Sequence, residues 1–393
     1  MFISQNIKIP NFWKLIKSSV VFLYFILLVL HNLSNNTVVN YSWYLILIGS
    51  FLLGIIQPYF RISLDTFLFA GIFLVSATLN IFFVGNSAVT DIIYTVLYFG
   101  VFNLFADDEL DERFLFAAIY VDCAILSFFL IKVGFGKAIF TSLSNNFVSV
   151  LLLLPAVVLY IRREHFQKPI SILPAITIVI TCLLATGRGG ILVSLILLLS
   201  ILFYHLFLRK DWRNTRKFAI YILGIFTIAS LIVFCLPFLL SSISKTGIFQ
   251  RFIKYGMYGT GRTGIWSEYF TNMFQNIKNL FLGVRFSDLS LMIRYKNNLH
   301  NSILNIHALY GLVFTLYVCF LLIRIIIMCV KKKNWIYLSV MLVFLVRSMT
   351  DRFFGGGQAG TPILLFLLFY ISKPIPTLPE KPILGGSANA QLK

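Results

Sequence analysis

The stretch "ILNIHALYGLVFTLYVCFLLIRIIIM", residues 303–328, is apolar over more than the roughly 20 residues that a helix needs to cross a bilayer. Similar runs recur along the chain: 59% of its 393 residues are hydrophobic, 12% are charged, and the mean hydropathy is +0.89. A globule of this composition could not cover its surface with polar residues in water. We therefore expect an all-α membrane protein that crosses the bilayer many times.

About twelve membrane spans are predicted from the apolar runs. They lie near residues 16–33, 41–56, 66–84, 89–105, 114–132, 147–161, 170–186, 190–208, 218–240, 303–328, 337–350 and 361–372. The predicted organisation is spans 1–9 within residues 1–240, a large loop with short amphipathic helices at 241–300, and spans 10–12 within 301–373. Residues 374–393 are rich in Pro and Gly and are expected to form a disordered tail.

Basic residues predict the orientation of these spans. Lys8, Lys14 and Lys17 lie before or at the start of the first span. Arg61 and the basic connections at 161–168, 209–217 and 331–333 fall on the same side when the spans are counted. Lys and Arg are enriched in short cytoplasmic connections. Both termini are therefore predicted to be cytoplasmic.

The predicted outer loop, 241–300, is unusually basic for that side of a membrane. It contains eight Lys and Arg residues against Glu268 and Asp288, so its net charge is +6 (eight minus two). The chain as a whole has a net charge of +19, but its Lys and Arg are scattered between apolar runs, which does not favour nucleic acid binding. The loop is either an ordinary solvated basic segment or a surface that meets an anion at the membrane.

The turn "LLATGRGGIL" (183–192) places Arg188 among glycines at the outer ends of two apolar runs. Glycines permit close backbone approach, and their N–H groups can face a ligand. An arginine at this depth is costly unless it is paired. It is either an interfacial anchor or a ligand for an anion such as phosphate, which suits the planar guanidinium.

The stretch "YGTGRTGIWSEYF" (258–270) contains the letters G-x-G-x-x-G, but no strand precedes it, so a dinucleotide site is not expected. It is better interpreted as a turn that presents Arg262, followed by an amphipathic helix. Apolar residues recur there at helical spacing: Ile265, Trp266, Tyr269, Phe270 and Met273. Trp and Tyr are typical of the lipid headgroup zone.

The stretch "HNSILNIHALYG" (300–311) opens the tenth span. Asn301 and Ser302 are good N-cap residues for a helix that starts here. His300 and His307 are seven residues apart, which predicts nearly the same helix face, with His307 about 10 Å deeper. His300 could be a structural residue or a general base toward a hydroxyl. A metal site is not expected, because acidic residues are scarce and a third ligand is missing.

A last outer connection, "VRSMTDRFFGGGQAGTP" (346–362), contains Asp351 and Arg352. The two side chains either pair with each other or complete the rim of a site.

Three motifs in this order resemble those of the O-antigen polymerase (Wzy) and O-antigen ligase (WaaL) superfamily. Arg188 and Leu192 match an Arg, three residues, Leu pattern; "GRTGIW" lies in the large loop; and His300 and Gly311 match a His, ten residues, Gly pattern. The topological resemblance covers the whole chain, whereas the motifs cover only parts of 183–312. Each motif is short, so their order and common side carry the resemblance.

The resemblance implies a GT-C-like, metal-independent glycosyltransferase of the bacterial inner membrane without a cofactor, acting on undecaprenyl-pyrophosphate-linked oligosaccharides at the periplasmic face. It implies catalytic roles for His300, Arg188 and Arg262, and substrate binding by Arg251, Arg285, Asn301, His307 and Arg352. Membrane lipids, a chain-length regulator and a flippase are the implied partners.

Polymerase is the favoured member of the superfamily, because "HNSILNIHALYG", with its second histidine, looks more like the polymerase form. A ligase that transfers the polymer to lipid A core is the alternative. A polysaccharide transporter or flippase is more remote, since transporters tend to place ionisable residues near mid-membrane and the predicted spans lack such a cluster.

Overall fold

A computed structural model describes residues 9–56, 64–134, 137–140, 144–208, 262–292, 297–355 and 358–373. Within these ranges the chain is helical and contains no strand. The helices are α1 (Ile9–Leu33), α2 (Thr37–Ile56), α3 (Leu64–Phe83), α4 (Val89–Ala106), α5 (Glu112–Val133), α6 (Phe147–His165), α7 (Leu173–Ala185), α8 (Arg188–Phe203), α9 (Arg262–Gln275), α10 (Ile277–Leu282), α11 (Ser302–Lys331), α12 (Trp335–Thr350) and α13 (Thr361–Ser372). A π-helical turn, Tyr204–Leu208, extends α8.

Seven of these helices are long and apolar enough to cross a membrane: α1 to α5, α8 with its extension, and α11. Helices α7, α12 and α13 are apolar but shorter. The expectation of an all-helical chain with several membrane-spanning helices is thus confirmed for the part of the chain that the structure describes. The predicted ninth span, 218–240, and the predicted tail, 374–393, lie outside the described residues.

Helix α6 lies at the centre of the bundle. All of its residues from Val148 to Arg162 are buried, and it packs against α1, α5, α7, α8, α12 and α13. A helix that is apolar all round has no face suited to water and is expected in a core or a membrane. Helix α13 is nearly as buried. The outer helices instead expose apolar stripes, such as Val313, Leu316 and Phe320 of α11, which is the pattern of a lipid-facing surface.

Charged residues meet at one end of the bundle, where α4 ends and α5 begins. Arg162 is buried and donates hydrogen bonds to the carbonyl oxygens of Phe105 (2.9 Å) and Leu110 (3.1 Å). Lys17 of α1 pairs with Asp107 at 2.6 Å. The acidic connection 106–113 therefore stabilises the basic residues around it, through its carboxylates and its backbone carbonyl groups. Its sequence alone did not indicate this role.

Helix α11 is broken at Gly311, where φ is 75° and ψ is −175°. The break leaves backbone carbonyl groups without partners inside the helix, and side chains from the last turn of α3 and from the connection to α4 donate hydrogen bonds to them. The Ala308 oxygen accepts from the Asn80 and Asn86 side-chain amides at 3.0 and 2.9 Å, and the Leu309 oxygen accepts from the Ser87 hydroxyl. Unpaired backbone groups are costly inside a membrane, so these side chains stabilise the break.

Candidate functional site

Four segments of the chain meet at the other end of the bundle. They are the first turn of α8 with Arg188, the start of α9 with Arg262, the residues before α11 with His300, and the end of α12 with Asp351. A Cβ atom on Gly189 would lie 3.8 Å from the Thr350 hydroxyl, so the α8 turn packs beside the end of α12. Segments far apart in sequence thus form one polar cluster.

The turn before α8 is tight and has little space for side chains. Thr186 closes α7 in the left-handed conformation (φ 59°), and Gly187 leads directly into Arg188. A Cβ atom on Gly187 would lie 2.6 Å from the Asn146 amide oxygen, so a larger residue does not fit. The half-buried Arg188 is therefore held at a helix N-terminus, where the helix dipole and free N–H groups favour an anion.

His300 lies outside α11, before its N-cap. Its backbone is left-handed (φ 51°), and its amide donates to the Asn298 side-chain oxygen at 2.8 Å. The prediction that His300 and His307 share one helix face is wrong, because the helix begins only at Ser302. The His300 Nδ1 atom instead faces Asp351, 3.6 Å from its Oδ1 atom.

Asp351 is the acidic centre of the cluster. Its carboxylate accepts hydrogen bonds from Arg347 Nη2 (3.1 Å), Asn298 Nδ2 (2.8 Å) and its neighbour's amide, Arg352 N (2.9 Å). Burial alone would raise the pKa of Asp351, but the contacts with His300, Arg347 and Asn298 outweigh burial and hold the pKa well below its usual value. Asp351 is therefore ionised at neutral pH.

Arg262 is the first residue of α9 and lies within electrostatic reach of the other charges. Burial lowers the pKa of Arg262, Asp351 opposes this effect, and the charges of Arg347 and Arg188 add to it. Together these residues amount to three guanidinium groups and one carboxylate, a net charge of +2 (three minus one). An excess of fixed arginines suits a ligand with more than one negative charge.

His307 and Asn301 are already engaged in structural hydrogen bonds. The two ring nitrogens of His307 contact the Tyr269 hydroxyl (2.6 Å, at Nδ1) and the Leu280 carbonyl (2.8 Å, at Nε2). These partners require the proton on Nε2, which donates to Leu280, while Nδ1 accepts from Tyr269. The Asn301 side chain caps α11 by accepting from the amides of Ile303 and Leu304, at 2.9 and 3.1 Å. Their roles in substrate binding stay predictions.

The remaining predicted residues lie at different places. Arg285 donates through Nε to the Val84 carbonyl at 2.7 Å, beside the connection between α3 and α4. The Arg352 guanidinium contacts Gln358, whose amide oxygen, when turned toward it, accepts from Nε at 3.1 Å and Nη2 at 3.0 Å. Asp351 and Arg352 therefore do not pair through their side chains. Arg251 lies outside the described residues.

Arg347 belongs to the site although it was not predicted. Its side chain is only 1% exposed, and it contacts Asp351 and the Thr350 hydroxyl. It stands four residues before Asp351, the spacing at which side chains meet on a helix. That spacing, inside the apolar stretch of a predicted span, is the signal that could have identified it.

The variant Asp351→Asn is expected to destabilise the protein, because it leaves the buried Arg347 charge without its partner. Breaking a buried pair costs about 3 kcal/mol, and the loss should appear as a lower thermal unfolding temperature in detergent. In the wild type, the ionised Asp351 carboxylate stabilises the folded state. This stabilisation is fully present above the ordinary carboxyl pKa of about 3.9, and it is lost as pH falls through the lower pKa that Asp351 has in the folded state. The variant should therefore be less stable than the wild type throughout the range from pH 5 to 8.

Asp288→Asn is the matched control, since Asp288 is exposed and its carboxylate accepts a hydrogen bond from the hydroxyl of its neighbour Ser287 at 3.1 Å. It should unfold like the wild type. Equal unfolding temperatures for Asp351→Asn and Asp288→Asn would contradict the role assigned to the Arg347–Asp351 pair.

The donor set of the site favours anions. Among the residues that the structure describes, no three His, Cys, Asp or Glu side chains come together in a way that could hold a metal ion.

No protein-family model matches the sequence, and no curated protein matches it significantly. The function therefore has to be inferred from the site and from the motif resemblance.

Proposed function

We propose that this protein is a membrane glycosyltransferase that joins undecaprenyl-pyrophosphate-linked oligosaccharide repeat units, a polymerase of the Wzy type. The supporting observation is the convergence of Arg188, Arg262 and His300, each from a different motif of the resemblance, around Asp351. The proposed location is the bacterial inner membrane, with both termini cytoplasmic and the site facing the periplasm.

The arginines would act on the leaving group. As the bond between the sugar and the pyrophosphate breaks, negative charge grows on the pyrophosphate oxygens. Arg188 and Arg262 would supply fixed positive charge that stabilises this growing negative charge, and Arg347 would add to the local positive potential. Fixed guanidinium groups need no reorganisation during the reaction. They would supply the charge stabilisation for which many glycosyltransferases use a divalent metal.

His300 would act on the acceptor. The ionised Asp351 favours the tautomer that carries its proton on Nδ1, and this tautomer keeps its lone pair on Nε2. Nε2 would take the proton of the acceptor hydroxyl while that oxygen forms a bond to the anomeric carbon. The bond from this carbon to the pyrophosphate breaks in the same step, so the electron pair leaves with the lipid pyrophosphate.

The choice of polymerase rests on the motif resemblance. His307, which favours the polymerase form at the level of sequence, serves as a structural link between α9, α10 and α11. A ligase could use the same arginines and the same base. A transporter would be expected to carry ionisable residues near mid-membrane. The described spans contain the buried Asp122 of α5 and an ion pair between Asp65 of α3 and Arg324 of α11.

Deletion of the gene, followed by gel analysis of glycolipids, tests the proposal and separates its alternatives. A polymerase predicts loss of the polysaccharide ladder with one repeat unit still attached to lipid A core. Loss of all attachment with accumulated lipid-linked polymer indicates a ligase. Unattached single repeats that remain on the cytoplasmic side indicate a flippase.

The same strain tests the assigned base. Wild-type protein should restore the ladder, and His300→Ala should leave the deletion phenotype although the variant is present in the membrane. A restored ladder with His300→Ala would rule out the catalytic role of His300. A normal ladder in the deletion strain itself would overturn the proposed function.

A further inference from the structure

Helix α9 has three distinct faces. Ile265, Tyr269 and Met273 are buried against the protein. On the exposed surface, apolar side chains form one stripe, Phe270 and Phe274, and polar side chains form another, Ser267, Thr271 and Gln275. At 100° per residue the apolar stripe lies between the buried face and the polar one. A helix on a water-exposed protein surface needs only the apolar face that it buries against the protein. The exposed apolar stripe of α9 therefore indicates contact with a further apolar surface.

The apolar stripe continues along α10. Ile277 is 75% exposed and Phe274 is 70% exposed, and Phe281 extends the row. In the part of the chain that the structure describes, four large apolar side chains thus remain exposed on a segment that is not a membrane span by length. Exposed patches of this kind mark protein interfaces or membrane contacts.

The position of α10 indicates which partner covers this surface. The Leu280 carbonyl contacts His307, and the Leu282 carbonyl accepts from Asn80 at 2.8 Å. Asn80 lies inside the candidate span Leu64–Phe83 and His307 inside the candidate span Ser302–Lys331. Asn80 is three residues before the end of its span and His307 is five residues after the start of its span, so α10 is held beside the ends of two candidate spans.

The surface of α3 next to this contact is apolar as well. Leu79, Phe82 and Phe83, in its last turns, are exposed, and α10 packs against α3. The apolar side chains of α9 and α10 thus continue the lipid-facing surface of a candidate span. Continuity with that surface favours lipid over a protein partner.

We propose that α9 and α10 lie flat in the membrane surface, with Phe270, Phe274, Ile277 and Phe281 in contact with the acyl chains of the bilayer leaflet at this end of the bundle. The polar stripe of α9 then faces water, and the buried face contacts the protein. An interfacial helix with these three environments is held by buried apolar area. The inference does not depend on the proposed chemistry.

This anchoring would hold Arg262 at a defined depth. Arg262 is the first residue of α9, so a helix seated between acyl chains and water places the guanidinium near the level of lipid phosphates. The same geometry would serve any lipid-linked phosphate that approaches from the membrane.

Spin labels on neighbouring residues test the proposal in liposomes of phosphatidylethanolamine and phosphatidylglycerol. The full chain, with its five native cysteines changed to alanine, carries one label through Phe274→Cys or Ile277→Cys on the apolar stripe, or through Thr271→Cys or Gln275→Cys on the polar stripe. Oxygen concentrates in hydrocarbon, whereas a charged nickel chelate stays in water. The labels at 274 and 277 should collide several-fold more with oxygen relative to nickel than those at 271 and 275.

Two results would overturn the proposal. Labels at 274 and 277 that collide with nickel as readily as those at 271 and 275 would show that the stripe faces water. Labels there that neither probe reaches would show that protein covers it. Because four positions are compared, one variant that fails to fold does not remove the test.

Discussion

Cells in which Arg188→Ala replaces the wild-type protein are expected to lose long polysaccharide chains while the variant stays inserted in the membrane. Arg188 stands at the N-terminus of α8, in electrostatic contact with Arg262, where the proposed pyrophosphate would bind. Removing one preorganised charge-stabilising group typically lowers a rate by about 10²–10³-fold. The glycolipid ladder on a gel and the amount of protein in isolated membranes are the two measurements.

Arg113→Ala is the matched control for this loss of charge. Arg113 lies at the other end of the bundle, is 88% exposed and pairs with Asp111 at 2.7 Å. Its replacement removes the same group and should leave the ladder unchanged. Arg188→Lys should resemble Arg188→Ala, because an ammonium group lacks the planar fork that binds phosphate through two hydrogen bonds. Wild-type chain lengths in Arg188→Ala would contradict the assignment.

The variant Gly311→Ala is expected to prevent correct folding. The backbone at Gly311 lies in a region that essentially only glycine adopts, and a Cβ atom there would overlap the Phe281 carbonyl oxygen. Strain of about 1–3 kcal/mol and the backbone overlap add to each other, so the total loss should exceed about 4 kcal/mol. Size-exclusion chromatography in detergent should show aggregated protein or strongly reduced yield.

Gly71→Ala provides the comparison for this prediction. Gly71 lies within α3, and a Cβ atom added there meets no atom within 4 Å. Alanine has a higher helix propensity than glycine, so this variant should be as stable as the wild type or slightly more stable. If both variants purified equally well, the break in α11 would not depend on glycine.

The amino-acid sequence was sufficient to predict the helical class and most element positions. Long apolar runs lead to membrane helices because every backbone polar group must be satisfied within the segment. Helix α11 begins at Ser302 after the predicted N-cap Asn301, since local capping hydrogen bonds depend on neighbouring residues. Arg188 could likewise be recognised from its neighbours, since it stands among glycines between two apolar runs.

The tertiary structure decided which polar residues meet. His300 was expected to stack above His307, but it turns away before the helix and faces Asp351, whereas His307 binds Tyr269 and Leu280. The same packing buries the Arg347 side chain beside Asp351. The site joins residues that lie between 51 positions (His300 and Asp351) and 89 positions (Arg262 and Asp351) apart in the sequence. A one-dimensional pattern records the periodicity within a segment, but it does not show which other segment each face contacts. Burial and electrostatic pairing across helices therefore determined the candidate site.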